Sequence, residues 1–206
     1  MEMWKNKKIG IEKVTGNIAM IDTEGIEEGG GIYQIAIIIV NENCEYITSK
    51  SWYIKEKITS NIEMHKQAQH NKEAGVYKKL LKIANQKNAQ ATTEQVKKSV
   101  KQFLLKYQVK NIFGHGLFFH DLPLIRKTFD ISHIQEWLEI NLNFYDTRPH
   151  FQHIVDYNGK YSNYTVKKKR YSINELSKYF INRKEKHTAI NDCKVQIELL
   201  NMLKIA

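Results

Sequence analysis

The segment that most constrains the fold is Ile32 to Asn41, a stretch so rich in β-branched residues that it reads as a strand covered on both faces. A strand of that kind belongs inside a sheet that carries helices on each side. Its neighbours agree. Asn17 to Asp22 reads as a second buried strand, and Cys44 to Ile54, with Tyr46, Ile47, Trp52 and Tyr53, as a third. The connection TEGIEEGGG is acidic and glycine-rich, which suits either a surface turn or a backbone that approaches something closely.

Helical spacing then takes over. Residues 60 to 87 are polar and lysine-rich around a short amphipathic piece at Val76, Leu80, Leu81 and Ile83. Thr93 to Tyr107 is a stronger helix, with Val96, Val100, Phe103 and Leu104 along one side. Asn111 to Gly114 predicts a short strand. Asp121, followed by Leu-Pro-Leu-Ile, predicts a helix that an aspartate caps and a proline enters. Asn143 to Asp146 supplies a fifth strand, and Lys167 to Arg170 sits in what reads as an exposed basic loop between Asp156 and Tyr171. Two helices, about Ser172 to Phe180 and Thr188 to Leu203, follow. The expectation is an α/β fold, a central mixed five-stranded sheet flanked by helices, with one domain over 1–206 and its core at about 17–204.

A chain of 206 residues is long enough to bury a sizeable core. Cys44 and Cys193 belong to no CxxC or Cys/His cluster, so neither zinc ligation nor a disulfide framework has support, and a reducing intracellular compartment fits. The amino terminus lacks a signal-like apolar stretch and the longest apolar run, Ile35 to Val40, is too short to span a bilayer, so a soluble protein without a membrane partner is expected. The formal net charge of +10 makes a polyanion the natural partner. A lysine-rich solvated surface from biased base composition would give the same number.

Four acids stand beside apolar residues. Asp22 and Glu24 are two apart at a strand end, and would present both carboxylates to one side if the extended chain persists through Thr23. Such repulsion asks for a cation, although a strand ending in a hydrophilic turn looks the same. Asp121 can be a plain helix cap or a cap that also meets a metal. Asp192 is the more informative, because Asn191, Lys194, Glu198 and Asn201 form a polar stripe while Asp192 shares the apolar side with Val195, Leu199 and Met202. A carboxylate there needs a partner, either a metal or a buried cation. His187, five residues earlier, converges on Asp192 only from the loop before the helix, where its ordinary pKa suits a general base.

In order and spacing these residues resemble the three-motif signature of the DEDDh, or DnaQ-like, exonuclease superfamily: Asp-x-Glu on the first strand, a mid-chain Asp opening a helix, then His-x4-Asp. Thr188 stands where the tyrosine branch carries Tyr, and GHGLFFHDLPLI is similar to the middle motif of the three-prime repair exonucleases. Gly25, Gln34 and Gly116 depart from the usual pattern. The resemblance covers about residues 17 to 204 and implies a ribonuclease H-like fold. It further implies that Asp22, Glu24, Asp121 and Asp192 hold two Mg²⁺ or Mn²⁺ ions, hard cations that prefer oxygen ligands. His187 would be the general base for hydrolysis of terminal phosphodiesters from a free 3′ end, releasing nucleoside 5′-monophosphates. Thr23, Gly25, Ile26 and Phe118 would face the terminal nucleotide, with Phe119 as another stacking candidate, and Lys168 and Arg170 would track the backbone. The likeness leans slightly toward DNA over RNA as partner and toward a homodimer. A catalytically silent nucleic-acid-binding module of the same fold is the competing expectation.

Overall fold

The computed structural model describes residues 14–26, 31–67, 74–86, 90–149, 151, 172–182 and 188–204. Three strands open it: β1 (Ile18–Ile26), β2 (Gly31–Val40) and β3 (Tyr46–Ile54). Helices α1 (Lys55–Gln67) and α2 (Ala74–Ala84), the two-residue strand β4 (Gln90–Ala91) and helix α3 (Thr93–Lys106) come next. Then follow β5 (Asn111–Gly114), α4 (Asp121–Phe129), α5 (Ile134–Leu138) and β6 (Asn143–Asp146). The last elements are α6 (Ile173–Leu176), which widens into a π-helical stretch at Ser177–Ile181, and α7 (Ala189–Lys204).

The sheet has six strands in the order β4-β3-β2-β1-β5-β6, one more than the five expected. The addition is β4, which pairs in parallel only through Tyr53↔Gln90 and Ile54↔Ala91. A pair of residues has no periodicity to read. The β1–β2 and β2–β3 pairs are antiparallel, whereas β1–β5 and β5–β6 are parallel, so the sheet is mixed as expected. Every residue of β2 is buried.

Alternation along the strands sorts the two cores. Ala19, Ile21, Ile35, Ile37 and Ile39 pack with Val96, Val100 and Leu104 of α3 and with Leu124, Ile125 and Phe129 of α4. Ile18, Met20, Ala36, Ile38 and Val40 point the other way, onto Cys193, Val195, Leu199 and Leu200 of α7 and Ile173 and Leu176 of α6. Each such fully buried aliphatic side chain contributes about 1.5–3 kcal/mol, so the sheet needs both helical layers. Helix α3 begins with a full capping box. The Thr92 hydroxyl accepts from Gln95 N–H, and the Gln95 side chain accepts from Thr92 N–H. Among the described residues no helix is long and apolar enough to cross a membrane.

Candidate active site

The parity that builds the cores also places the acids. Ile18 and Met20 face α7, so Asp22 and Glu24 continue along that side, and Asp22 pairs in register with Ala36 of the same layer. Asp192 lies in the first turn of α7. Its chain neighbour Cys193 is fully buried, with Sγ 3.5 Å from the Met20 carbonyl oxygen and 3.7 Å from that of Ala36. The start of α7 is thereby locked against the strands that carry Asp22. Val195 and Leu199 are buried and Lys194 is exposed, as the helical stripe requires.

Asp121 reaches the same end of the sheet from α4, but not as a helix cap. His120 occupies the cap position and makes no side-chain capping bond, while Asp121 is the first helical residue and is 2% exposed. Its Oδ1 accepts from the Thr23 backbone N–H at 3.1 Å and from the Thr23 hydroxyl at 2.7 Å. Thr23, expected to face substrate, is itself buried and its hydroxyl is committed to this bond. It faces α4, while strand alternation turns Asp22 and Glu24 on either side to the other face of the sheet. The thiol of Cys193 registers the convergence. Burial pushes its pKa well above the ordinary value, and the negative charges of Asp22, Asp121 and Asp192 push it further in the same direction.

Glu24 is differently engaged. Its Oε1 lies 3.3 Å from Lys79 Nζ of α2, and its Oε2 accepts from the Tyr33 hydroxyl at 3.4 Å. Tyr33 gets there through a β-bulge: Glu24 pairs with Gln34 but Gly25 pairs with Ile32, which leaves Tyr33 as the extra residue. Burial first, then the charge of Glu24, raises the Tyr33 pKa far above that of a free phenol, so the hydroxyl is a permanent donor. Tyr53 is raised by the same two causes, and its hydroxyl accepts from the Gln34 amide at 3.3 Å. Gly25 is required at the bulge because a Cβ there would sit 2.5 Å from the Gly31 carbonyl oxygen.

Behind Asp121, an unforeseen residue shapes the loop. Asp146, at the end of β6 and 4% exposed, accepts from Gly116 N–H at 2.8 Å and Arg148 N–H at 2.9 Å, and more loosely from Phe118 N–H at 3.5 Å. Thr147 adds a hydroxyl contact to His115 Nδ1 at 3.2 Å. With its base pinned in this way, the loop presents Phe118 and Phe119 outward, 39% and 81% exposed, beside Asp121. Such exposure of an aromatic ring beside a buried carboxylate is not what core packing produces. Ile26 ends β1. His187, Lys168 and Arg170 lie outside the described residues.

The donor set, four carboxylates at one end of the sheet, has the all-oxygen chemistry that suits Mg²⁺ or Mn²⁺. Closure around an ion is another matter. Among the described residues no group of three or more His, Cys, Asp or Glu side chains is gathered closely enough to hold a metal ion. Asp121 spends an oxygen on Thr23, and Glu24 spends both on Lys79 and Tyr33.

No protein-family model matches the chain, and no curated protein matches it. Solved structures do. A product-bound exonuclease I is 13% identical with a TM-score of 0.64, over 93% of this chain and 44% of that one. Apo exonuclease I superposes with a TM-score of 0.65 at 13% identity, over 93% and 42% of the two chains. The zinc-bound E. coli exonuclease I complex with single-stranded DNA gives 0.66 at 12% identity, over 93% and 41%. The chain therefore spans less than half the length of these structures. The agreement runs through the backbone of nearly the whole chain, and it identifies the fold as ribonuclease H-like, the fold that exonuclease I has.

Proposed function

We propose that the chain is a metal-dependent 3′–5′ exonuclease that removes nucleoside 5′-monophosphates from a free 3′ end, DNA being slightly favoured over RNA. One observation carries the reading: acids from three distant stretches stand next to joined positions, since the Asp121 carboxylate bonds Thr23 beside Asp22, and Cys193 beside Asp192 packs its thiol against the Met20 and Ala36 carbonyls. Acids assembled from so far apart in sequence repel one another, an arrangement that a structural role does not require. The fold shared with exonuclease I supports the same reading.

In this proposal Asp22, Glu24, Asp121 and Asp192 hold two Mg²⁺ or Mn²⁺ ions. Bound there, the ions would supply Lewis-acid stabilisation of the attacking and leaving oxygens at phosphorus. His187 accepts the proton of the attacking water. Thr23 fixes one oxygen of Asp121 and leaves the other for an ion. Phe118 and Phe119 offer apolar faces to the terminal base, Gly25 and Ile26 border the nucleotide, and Lys168 and Arg170 attract the phosphate backbone. Pairing into a homodimer belongs to this proposal as well.

The experiment is stepwise shortening of a 5′-labelled oligonucleotide in Mn²⁺. Wild-type protein is expected to produce a ladder from the 3′ end, and Asp22→Ala to lose at least about two orders of magnitude in rate, the scale of removing one electrostatic element from such a site. Full activity in Asp22→Ala would discard the mechanism. The engagement of Glu24 by Lys79 and Tyr33 favours a second reading, a silent binding module. That reading predicts binding of the same oligonucleotide with no shortening in Mg²⁺ or Mn²⁺.

A further inference from the structure

Lys79 and Glu24 are 55 residues apart and meet across the end of the sheet, with Nζ to Oε1 at 3.3 Å. Neither side chain is a freely solvated surface group, at 27% and 23% exposure. The ammonium also lies 5.9 Å from the centre of the Tyr33 ring, whose hydroxyl donates to the other oxygen of Glu24. One residue along from Lys79, Leu80 is fully buried with Tyr33, Ile58 and Ile83 in a small apolar cluster separate from the two large cores. That cluster anchors α2 above the bulge and holds Lys79 over the carboxylate. The bulge, the cluster and the ion pair form one construction aimed at Glu24.

We infer that Lys79 is a positioning residue that acts through Glu24, serving as a built-in cation that occupies the carboxylate until a divalent ion displaces it. The inference rests on the metal site proposed above. An Oε1 paired with an ammonium and an Oε1 bound to a dication exclude each other, so the energy of the ion pair is subtracted from that of ion binding. It is consistent with the absence, among the described residues, of a closed group of acids around one point, because Glu24 is tied to α2. Loading the site would turn Glu24 inward and leave α2 without its electrostatic tie to β1.

The test is calorimetric titration of MnCl₂ into the whole chain at low salt and without nucleic acid, comparing wild type, Lys79→Met, Lys79→Gln and Lys79→Arg. Removing the ammonium is expected to tighten Mn²⁺ binding about three- to tenfold, the scale of one partly shielded ion pair. Lys79→Arg, which keeps the cation, should bind like wild type. In a Glu24→Gln background the Lys79→Met gain should vanish. A merely structural role predicts the opposite sign, since a damaged site binds metal more weakly. Equal or weaker binding in both Lys79→Met and Lys79→Gln, with thermal midpoints preserved, would overturn the inference while leaving the metal site standing. Should none of these proteins, wild type included, bind Mn²⁺ up to millimolar concentration, the metal-site reading falls and takes this inference with it.

Discussion

The hydroxyl of Thr23 shows how much one side chain settles at the end of β1. It sits between two acids of the candidate site yet faces the opposite layer, and it ties the β1 backbone to the first residue of α4. Replacing it with Val keeps the shape and removes one charge-assisted hydrogen bond from a carboxylate that is 2% exposed. Thr23→Val should therefore lose about 1–3 kcal/mol of stability in urea denaturation, with the transition remaining cooperative. A loss below about 0.5 kcal/mol, the range of ordinary surface substitutions, would show that the backbone N–H of Thr23 alone is enough for Asp121. The same residues mark where sequence reading succeeds and where it stops. Asp22 and Glu24 could be assigned to one face because strand alternation has a period of two, and Asp192 because a helical stripe isolates it. Asp121 could not be assigned from its local sequence. An aspartate two residues before a proline looks like a cap, but Thr23, 98 residues away, takes the carboxylate instead. Asp146 left no signal, because its partners are backbone N–H groups that any residue type would supply.

Among the elements, those with long periodic patterns were legible and those defined by a single irregular residue were not. Strand β2 and helices α3 and α7 lie within one or two residues of where spacing puts them. The bulge opposite Glu24 has no periodic signature, so Tyr33, which alternation would send to the far face, ends on the acid side and bonds Glu24. Lys79 was lost for a related reason: the pattern around Val76 to Ile83 shows that a helix exists, but not which polar residue of it overhangs the sheet. Helix α3 permits a prediction at this scale. Its fourteen residues carry Val96, Val100 and Leu104 into the core, and its first turn is organised by Thr92 and Gln95. Thr92→Ala removes the acceptor for Gln95 N–H and breaks the reciprocal box, at an expected cost of about 1 kcal/mol, with little change in hydrolysis of a labelled oligonucleotide. Measured by urea denaturation, a loss above about 2 kcal/mol would mean that Thr92 has tertiary duties beyond the cap.

At the scale of the whole molecule, charge and shape have to be considered together. The chain carries a formal net charge of +10, and the positive surplus lies away from the candidate acids. Exposed lysines are spread over β3, α1, α2 and α3, among them Lys50, Lys55, Lys78, Lys82, Lys98 and Lys106. On the proposed function, a polyanion drawn to that surface would meet those acids, and divalent cations would have to offset their charge before its phosphates could approach. Binding and cleavage should therefore respond to ions in different ways. In EDTA, the logarithm of the association constant for a fluorescent single-stranded oligonucleotide should fall linearly with the logarithm of KCl concentration, with a slope of about −2 to −3.5 if about three to five phosphates are neutralised. Hydrolysis should be absent under the same conditions and appear only when Mn²⁺ is added at fixed ionic strength. A slope shallower than about −1 would mean that fewer than two phosphates are neutralised, and the positive surplus would then be a solvated lysine surface with no part in recognition.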